Sequence, residues 1–213
     1  MEFRRGLELN PNSAEAHFMY ADFLVTMRRT AEWDAEIRRT LDLDPLNFFW
    51  QTFLGWHLVY ERRPDEAIAQ LTKVLQAEPN FPGAHLGLWG AYFRKGDDAD
   101  AFIEARRFFE GLRDREVVDA LDAGWPKGGY RSAMKRAGEV LVAHFQRTYY
   151  PAIRVARVLA HAGENARALD FLEKAYERRE TPLYHIGVGW DWDALRPDPR
   201  FQSLLRHMNL PLK

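Results

Sequence analysis

Apolar residues recur along this chain with the spacing of amphipathic helices, and groups of them recur at a fixed period. Three similar phrases end in proline, and each proline stands 34 residues after the one before it. Because apolar positions within a period follow i, i+3, i+4 spacing, each period predicts helices rather than strands. A helical unit that repeats at this length predicts a stack of like units. The three phrases are Leu7–Pro11, Leu41–Pro45 and Leu75–Pro79.

The second period predicts two helices. Leu54 and Leu58 mark the apolar side of the first helix, and Arg62–Asp65 forms the turn that follows it. Pro64 stands near the start of the second helix, where its missing N–H costs little, and Pro79 ends that helix. A helix pair of this kind cannot bury its apolar side alone, so we expect it to pack on the next pair.

This period resembles the tetratricopeptide repeat, a helix-turn-helix unit of the same length. The third copy matches the repeat from His85 to Phe108 but lacks the closing proline. The resemblance implies an all-α, right-handed superhelical solenoid of about five helix pairs with a C-terminal capping helix. In the second copy the matching residues are Leu54, Gly55, Leu58, Ala67, Leu71, Val74 and Pro79.

The repeats predict one solenoid domain over residues 1–213. Because residues 1–13 hold only the second helix of a repeat, Phe3 and Leu7 lack the cover that the first helix would give. We therefore expect either a fragment of a longer protein or a homodimer through this edge. The predicted units are 14–47, 48–81 and 82–115 as repeats, 116–148 as a degenerate helix pair, 149–181 as a repeat, and 182–213 as an irregular segment and a capping helix.

The C-terminal phrases narrow the resemblance. Tyr150-Pro151, Ala168-Leu169 and Leu195–Phe201 are similar to the C-terminal ends of tetratricopeptide regions attached to bacterial serine/threonine kinases, winged-helix regulators and adenylate cyclases. This resemblance implies a helical repeat region that binds partners or regulates a neighbouring output domain. The chain itself has no kinase, winged-helix or cyclase motif.

Composition excludes several classes of protein. Lys and Arg number 30 against 31 Asp and Glu, so the net charge of −1 gives no nucleic-acid or anionic-membrane signature. The absence of cysteine excludes disulfides, thiolate catalysis and Cys-ligated metals. No apolar run reaches the length of a membrane span, and residues 1–20 lack the apolar block of a signal peptide. We expect a cytoplasmic protein with neither a nucleic-acid nor a membrane partner.

The sequence contains few motifs that would indicate a catalytic or metal-binding site. Its seven histidines are scattered without the spacing of a zinc site, and no phosphate-binding or nucleophile-elbow motif occurs. Acid pairs such as Asp97-Asp98 are typical of helix caps. We therefore expect no catalytic, cofactor or metal site. An enzyme dependent on Asp97 or His161 and a small-molecule sensor are the alternatives.

The resemblance implies a concave groove lined by the first helix of each pair. Its first half is aromatic and its last half basic, which suits a partner peptide or helix. Two occupants stay open: an external partner, or the chain's own segment Tyr184–Trp192. The candidate groove residues are Phe18, Asp22, Phe49, Phe53, Trp56, Tyr60, Phe93, Arg94, Arg154 and Arg157.

Together these patterns predict a non-catalytic protein-interaction or regulatory scaffold. We expect it to bind a peptide or helix in the groove and to be a fragment or partner of a larger bacterial signalling or regulatory protein.

Overall fold

The computed structural model describes residues 2–212, so the two ends of the predicted domain, residues 1 and 213, lie outside it. The described chain is built from helices joined by short turns. They are α1 (Glu2–Leu9), α2 (Ala14–Thr26), α3 (Thr30–Leu43), α4 (Phe48–Tyr60), α5 (Pro64–Ala77), α6 (Pro82–Lys95), α7 (Asp98–Gly111), α8 (Arg115–Arg147), α9 (Ala152–His161), α10 (Asn165–Glu177) and α11 (Pro199–His207), with 3-10 turns at Thr181–His185 and Trp190–Trp192.

Successive helices pack into pairs, and the pairs stack. α2 packs on α3, α4 on α5, α6 on α7 and α9 on α10, while α5 contacts α6 and α8 bridges α7 and α9. The prediction of an all-α repeat solenoid is confirmed. The apolar core is continuous from Leu58 to Leu205, with a second cluster around Leu24, Trp33 and Ile37 in the first repeat.

The turns between paired helices share one backbone geometry. Arg28, Arg62, Gly96 and Gly163 all have positive φ, between 56° and 79°. At Arg62 the N–H donates to the Val59 carbonyl, and the next N–H along the chain donates to the Leu58 carbonyl. These two bonds satisfy carbonyls that the end of the helix leaves open. Two of the four positions therefore hold arginine in a conformation that favours glycine.

Helix α8 changes direction at Gly128 and Gly129. The helix continues through Gly124 and Pro126 as far as this pair of glycines. Gly129 has φ 63° and ψ −151°, a conformation available to glycine alone. Gly124 serves close packing instead, since a Cβ there would lie 2.5 Å from the Ala133 Cα.

A polar bridge repeats with the period of the fold. His85 Nδ1 lies 2.6 Å from Glu104 Oε2, and its Nε2 lies 3.1 Å from the Pro79 carbonyl oxygen. Since both ring nitrogens face acceptors, the ring makes both hydrogen bonds only when it carries two protons. The bridge ties a helix pair to the proline that ends the previous repeat. The equivalent bridges are His17 with Glu36 and Pro11, and Gln51 with Gln70 and Pro45.

Replacing Arg62 by glycine should stabilise the protein. A left-handed backbone costs an arginine about 1 kcal/mol, and glycine removes this cost. Part of the gain is offset, because glycine has more conformational entropy to lose when the chain folds. The exposed contact of Arg62 with Asp193, at 3.5 Å, contributes little. We expect the free energy of unfolding, measured in urea, to rise by about 0.5 kcal/mol.

Arg28→Gly is the matched control. The φ of Arg28 is within a few degrees of the φ of Arg62. Unlike Arg62, however, Arg28 donates from Nη2 to the Gly187 carbonyl oxygen at 2.7 Å. Losing that bond should cancel the gain. An Arg62→Gly protein no more stable than the wild type would contradict the assignment of strain.

Candidate functional site

Four aromatic rings follow one side of α4. Phe49, Phe53, Trp56 and Tyr60 are spaced by four, three and four residues, which places them on one helix face. Ring centroids of Phe49 and Phe53 lie 4.9 Å apart, as do those of Phe53 and Trp56. Phe18 from α2 joins the row 4.7 Å from Phe53. Phe49, the first residue of the row, is 42% exposed.

The other end of the row is covered by residues 181–196, here called the return segment. Trp190 stacks on Tyr60 with ring centroids 5.2 Å apart and meets Trp56 edge-on. A Cβ at Gly90 of α6 would overlap the Trp190 indole, so glycine is required for the indole to lie there. Of the two occupants that the sequence leaves open, the chain's own segment lies against Trp56 and Tyr60.

A buried polar chain anchors the return segment. Trp89 Nε1 donates to the Tyr130 hydroxyl at 2.5 Å, and that hydroxyl lies 2.6 Å from His161 Nδ1. His161 Nε2 lies 2.9 Å from Asp191 Oδ1, and Arg157 Nε donates to Asp191 Oδ2 at 2.9 Å. Since a carboxylate accepts, the Nε2–H of His161 donates to Asp191, and Nδ1 lies against the Tyr130 hydroxyl.

The same surroundings set the ionisation of this chain. Burial alone would raise the pKa of Asp191, but Arg157 and His161 outweigh it and hold the pKa below its usual range. Burial raises the pKa of Tyr130. The order Tyr–His–Asp resembles a proton relay, yet the Tyr130 hydroxyl is engaged on both sides and its residue is 3% exposed. The arrangement is therefore suited to anchoring rather than to acid–base catalysis.

Two further side chains, those of Asp22 and Arg94, hold the return segment. The Asp22 carboxylate accepts from the Tyr184 hydroxyl at 2.6 Å and lies 2.7 Å from His185 Nε2. Arg94 Nη1 donates to Asp193 Oδ2 at 2.9 Å. Burial lowers the pKa of Arg94, against the opposing effect of Asp193. Each of these contacts uses a residue that the sequence assigns to the groove.

Half of the ten predicted groove residues contact the return segment, and these contacts involve both aromatic and charged side chains. The segment therefore occupies part of the surface that the sequence offers to a partner. The five residues are Asp22, Trp56, Tyr60, Arg94 and Arg157.

The other five predicted groove residues lie in three different places. Phe49 and Phe53 lie at the open end of the row, and Phe18 is buried beside them. Phe93 packs inside the stack, against the rings of the buried polar chain. Arg154 lies on α9 and has no acidic partner among the described residues.

A cavity of about 550 Å³ remains between α4, α9 and the return segment. Aromatic residues of α4 form one wall, and Arg154, Arg178 and Arg179 lie on the other side. The sequence did not point to Arg178 and Arg179, because they follow α10 and lie outside the first helices of the repeats. A pair of adjacent arginines beyond a helix end is the local signal that could have indicated them.

Comparison with known families decides the kind of repeat. Residues 58–102 match the family model described as tetratricopeptide repeat, which covers about a fifth of the chain. The matched range runs from the end of α4 into α7, and the helix pairs continue on both sides of it. The match and the all-helical stack around it support a tetratricopeptide-repeat fold. The comparison with curated proteins finds no match.

Tetratricopeptide repeats generally mediate protein–protein interactions. Within residues 2–212, no group of three or more His, Asp or Glu side chains is placed to hold a metal ion. Over the same residues, no helix combines the length and apolar character that crossing a bilayer requires.

His57 is a buried histidine beside the aromatic row. Its ring stacks on Trp33, its Nδ1 has no hydrogen-bond partner among the described residues, and the residue is 5% exposed. Burial, aided by the nearby Arg63, lowers the pKa of His57 to about 3 despite an opposing effect of Asp34. The ring is therefore neutral in the folded protein at neutral pH.

Acid should destabilise the folded protein through His57. Below the ordinary pKa of 6.5 the unfolded chain binds a proton that the folded chain does not, so stability falls as pH drops from there toward 3. At pH 5 the loss from this group is about 2 kcal/mol. Urea unfolding from about pH 7.5 to pH 5 measures it.

His57→Phe should flatten this pH dependence while it keeps a ring against Trp33. The exposed His207→Phe is the matched control and should leave the pH dependence unchanged. Equal slopes for the wild type and His57→Phe would show that His57 is not the group responsible.

Proposed function

We propose that this chain is a non-catalytic interaction module that acts as a regulatory scaffold and binds a peptide or helix along the open end of its inner face. We place it in the cytoplasm, as part or partner of a larger bacterial signalling or regulatory protein. The observation that supports the proposal is the row of aromatic rings on α4, which begins at the exposed Phe49 and continues through Phe53.

The row has the properties of a recognition surface for apolar side chains. Phe49 is 42% exposed although it contacts Phe18, Trp50 and Phe53. Rings held in place by one another lose little entropy when a partner binds, and buried aromatic anchors dominate the binding energy of many interfaces. A partner side chain packed on Phe49 and Phe53 would extend the row outward.

The two residues on which an enzymatic role would depend are occupied. Asp97 caps α7 by accepting from the Asp100 N–H at 3.2 Å. The His161 side chain is fully buried between Tyr130 and Asp191. Both placements favour a non-catalytic role.

Phe49→Ala should weaken partner binding without unfolding the protein. The probes are peptides selected from a random library for binding to the wild-type chain, with affinity measured by calorimetry. Loss of a central aromatic contact costs about 2 kcal/mol, so we expect the dissociation constant to rise about thirtyfold.

Phe48→Ala is the matched control, because Phe48 is exposed to a similar degree, 38%, but packs edge-on against Phe81 instead of joining the row. Its effect on peptide affinity should be small. Selected peptides that bind both variants as well as the wild type would place the binding surface elsewhere.

A second candidate is self-association through the first repeat. Phe3 of α1 stacks on Phe23 with ring centroids 5.3 Å apart, and both rings are more than a third exposed. Met19, on the same helix as Phe23, is 49% exposed. Together they form an apolar edge where a second copy could replace water.

We expect Phe23→Glu to abolish the dimer, because it would place a charge in the apolar edge. Sedimentation velocity at low and high protein concentration measures the effect. A wild-type chain that stays monomeric at high concentration would contradict self-association.

A further inference from the structure

The cavity of about 550 Å³ has an excess of positive charge. Arg154, Arg178 and Arg179 line it, and within residues 2–212 none of the three forms an ion pair. The nearby Arg157 differs, because it is paired with Asp191. Three arginines without a carboxylate partner of their own therefore line one cavity.

The acids at the cavity are already engaged. The two carboxylate oxygens of Glu180 accept from the N–H groups of Ala152 and Ile153 at the start of α9, at 2.8 and 3.0 Å. Asp191 is held by Arg157 and His161. Neither acid forms an ion pair with the three arginines, and the single charge of Glu180 offsets only part of theirs.

Aromatic rings hold two of these arginines in place. The Arg154 guanidinium lies 5.3 Å from the centroid of the Tyr150 ring, and that of Arg178 lies 4.0 Å from the centroid of the Phe145 ring. Contacts of this kind orient a guanidinium without using its N–H donors. Arg178 Nη1 also donates to the Tyr150 carbonyl oxygen at 3.4 Å, and its other N–H groups have no acceptor among the described residues.

The opposite wall is apolar and flat. Phe53, Trp56 and Tyr60 line the cavity together with Trp190, and its volume is within the range of small-molecule sites. A simple inorganic anion would leave this wall without a partner.

We propose that the cavity binds a small organic anion with a flat apolar body, its body on the aromatic wall of α4 and its acidic group at Arg154, Arg178 and Arg179. The site is distinct from the open end at Phe49 and does not require the peptide binding proposed above.

The test uses two fluorescent probes of similar shape. 8-Anilinonaphthalene-1-sulfonate carries an acidic group, and N-phenyl-1-naphthylamine lacks it. We expect the sulfonate to bind at one saturable site and more tightly than the neutral probe. Arg154→Gln should weaken sulfonate binding about tenfold, the effect of one lost hydrogen bond to a charged group, and leave the neutral probe unaffected.

Arg206→Gln, at an exposed arginine of α11, is the control for net charge and should change neither affinity. Arg178→Gln, also at an exposed position, should weaken sulfonate binding in the same way as Arg154→Gln. It replaces Arg154→Gln in the test if that variant has a lowered melting temperature. Equal affinity of the two probes for the wild type, or equal losses in Arg206→Gln and Arg154→Gln, would overturn the proposal.

Discussion

The position of the return segment depends on one buried carboxylate. Asp191 is 6% exposed, and an unpaired charge at such a depth would be strongly unfavourable. Arg157 and His161 supply the two charged or polar partners, and Tyr130 continues the chain into α8. Because breaking a buried pair leaves an uncompensated charge, this contact fixes where the segment can lie.

That placement divides the inner face of the repeat stack. Trp190 covers Trp56 and Tyr60, and Gly90 is the position on α6 that makes room for it. Phe49 is left open at one end, and an arginine-lined cavity is left at the other. Because the chain's own segment covers part of this face, two separate surfaces remain on it. The repeating polar bridge keeps neighbouring repeats in register. His85, which Glu104 holds, satisfies the Pro79 carbonyl at the junction between two repeats.

Spacing along the chain was sufficient to predict the helices, the period and the face of α4 that carries the aromatic row, because these follow from geometry within one helix or one turn. The cap of α11, where Asp198 accepts from the Arg200 N–H, is local in the same way. The role of Gly124 does not follow from spacing, because its close approach to Ala133 appears only in three dimensions.

The partners of the charged groove residues, in contrast, follow from the tertiary structure alone. Asp22 meets Tyr184 across 162 residues, and Arg94 meets Asp193 across 99. No local pattern encodes such pairs, because they form only when the stack brings its first repeat and its C-terminal segment to the same face. The division of that face into an open aromatic end and a basic cavity has the same origin.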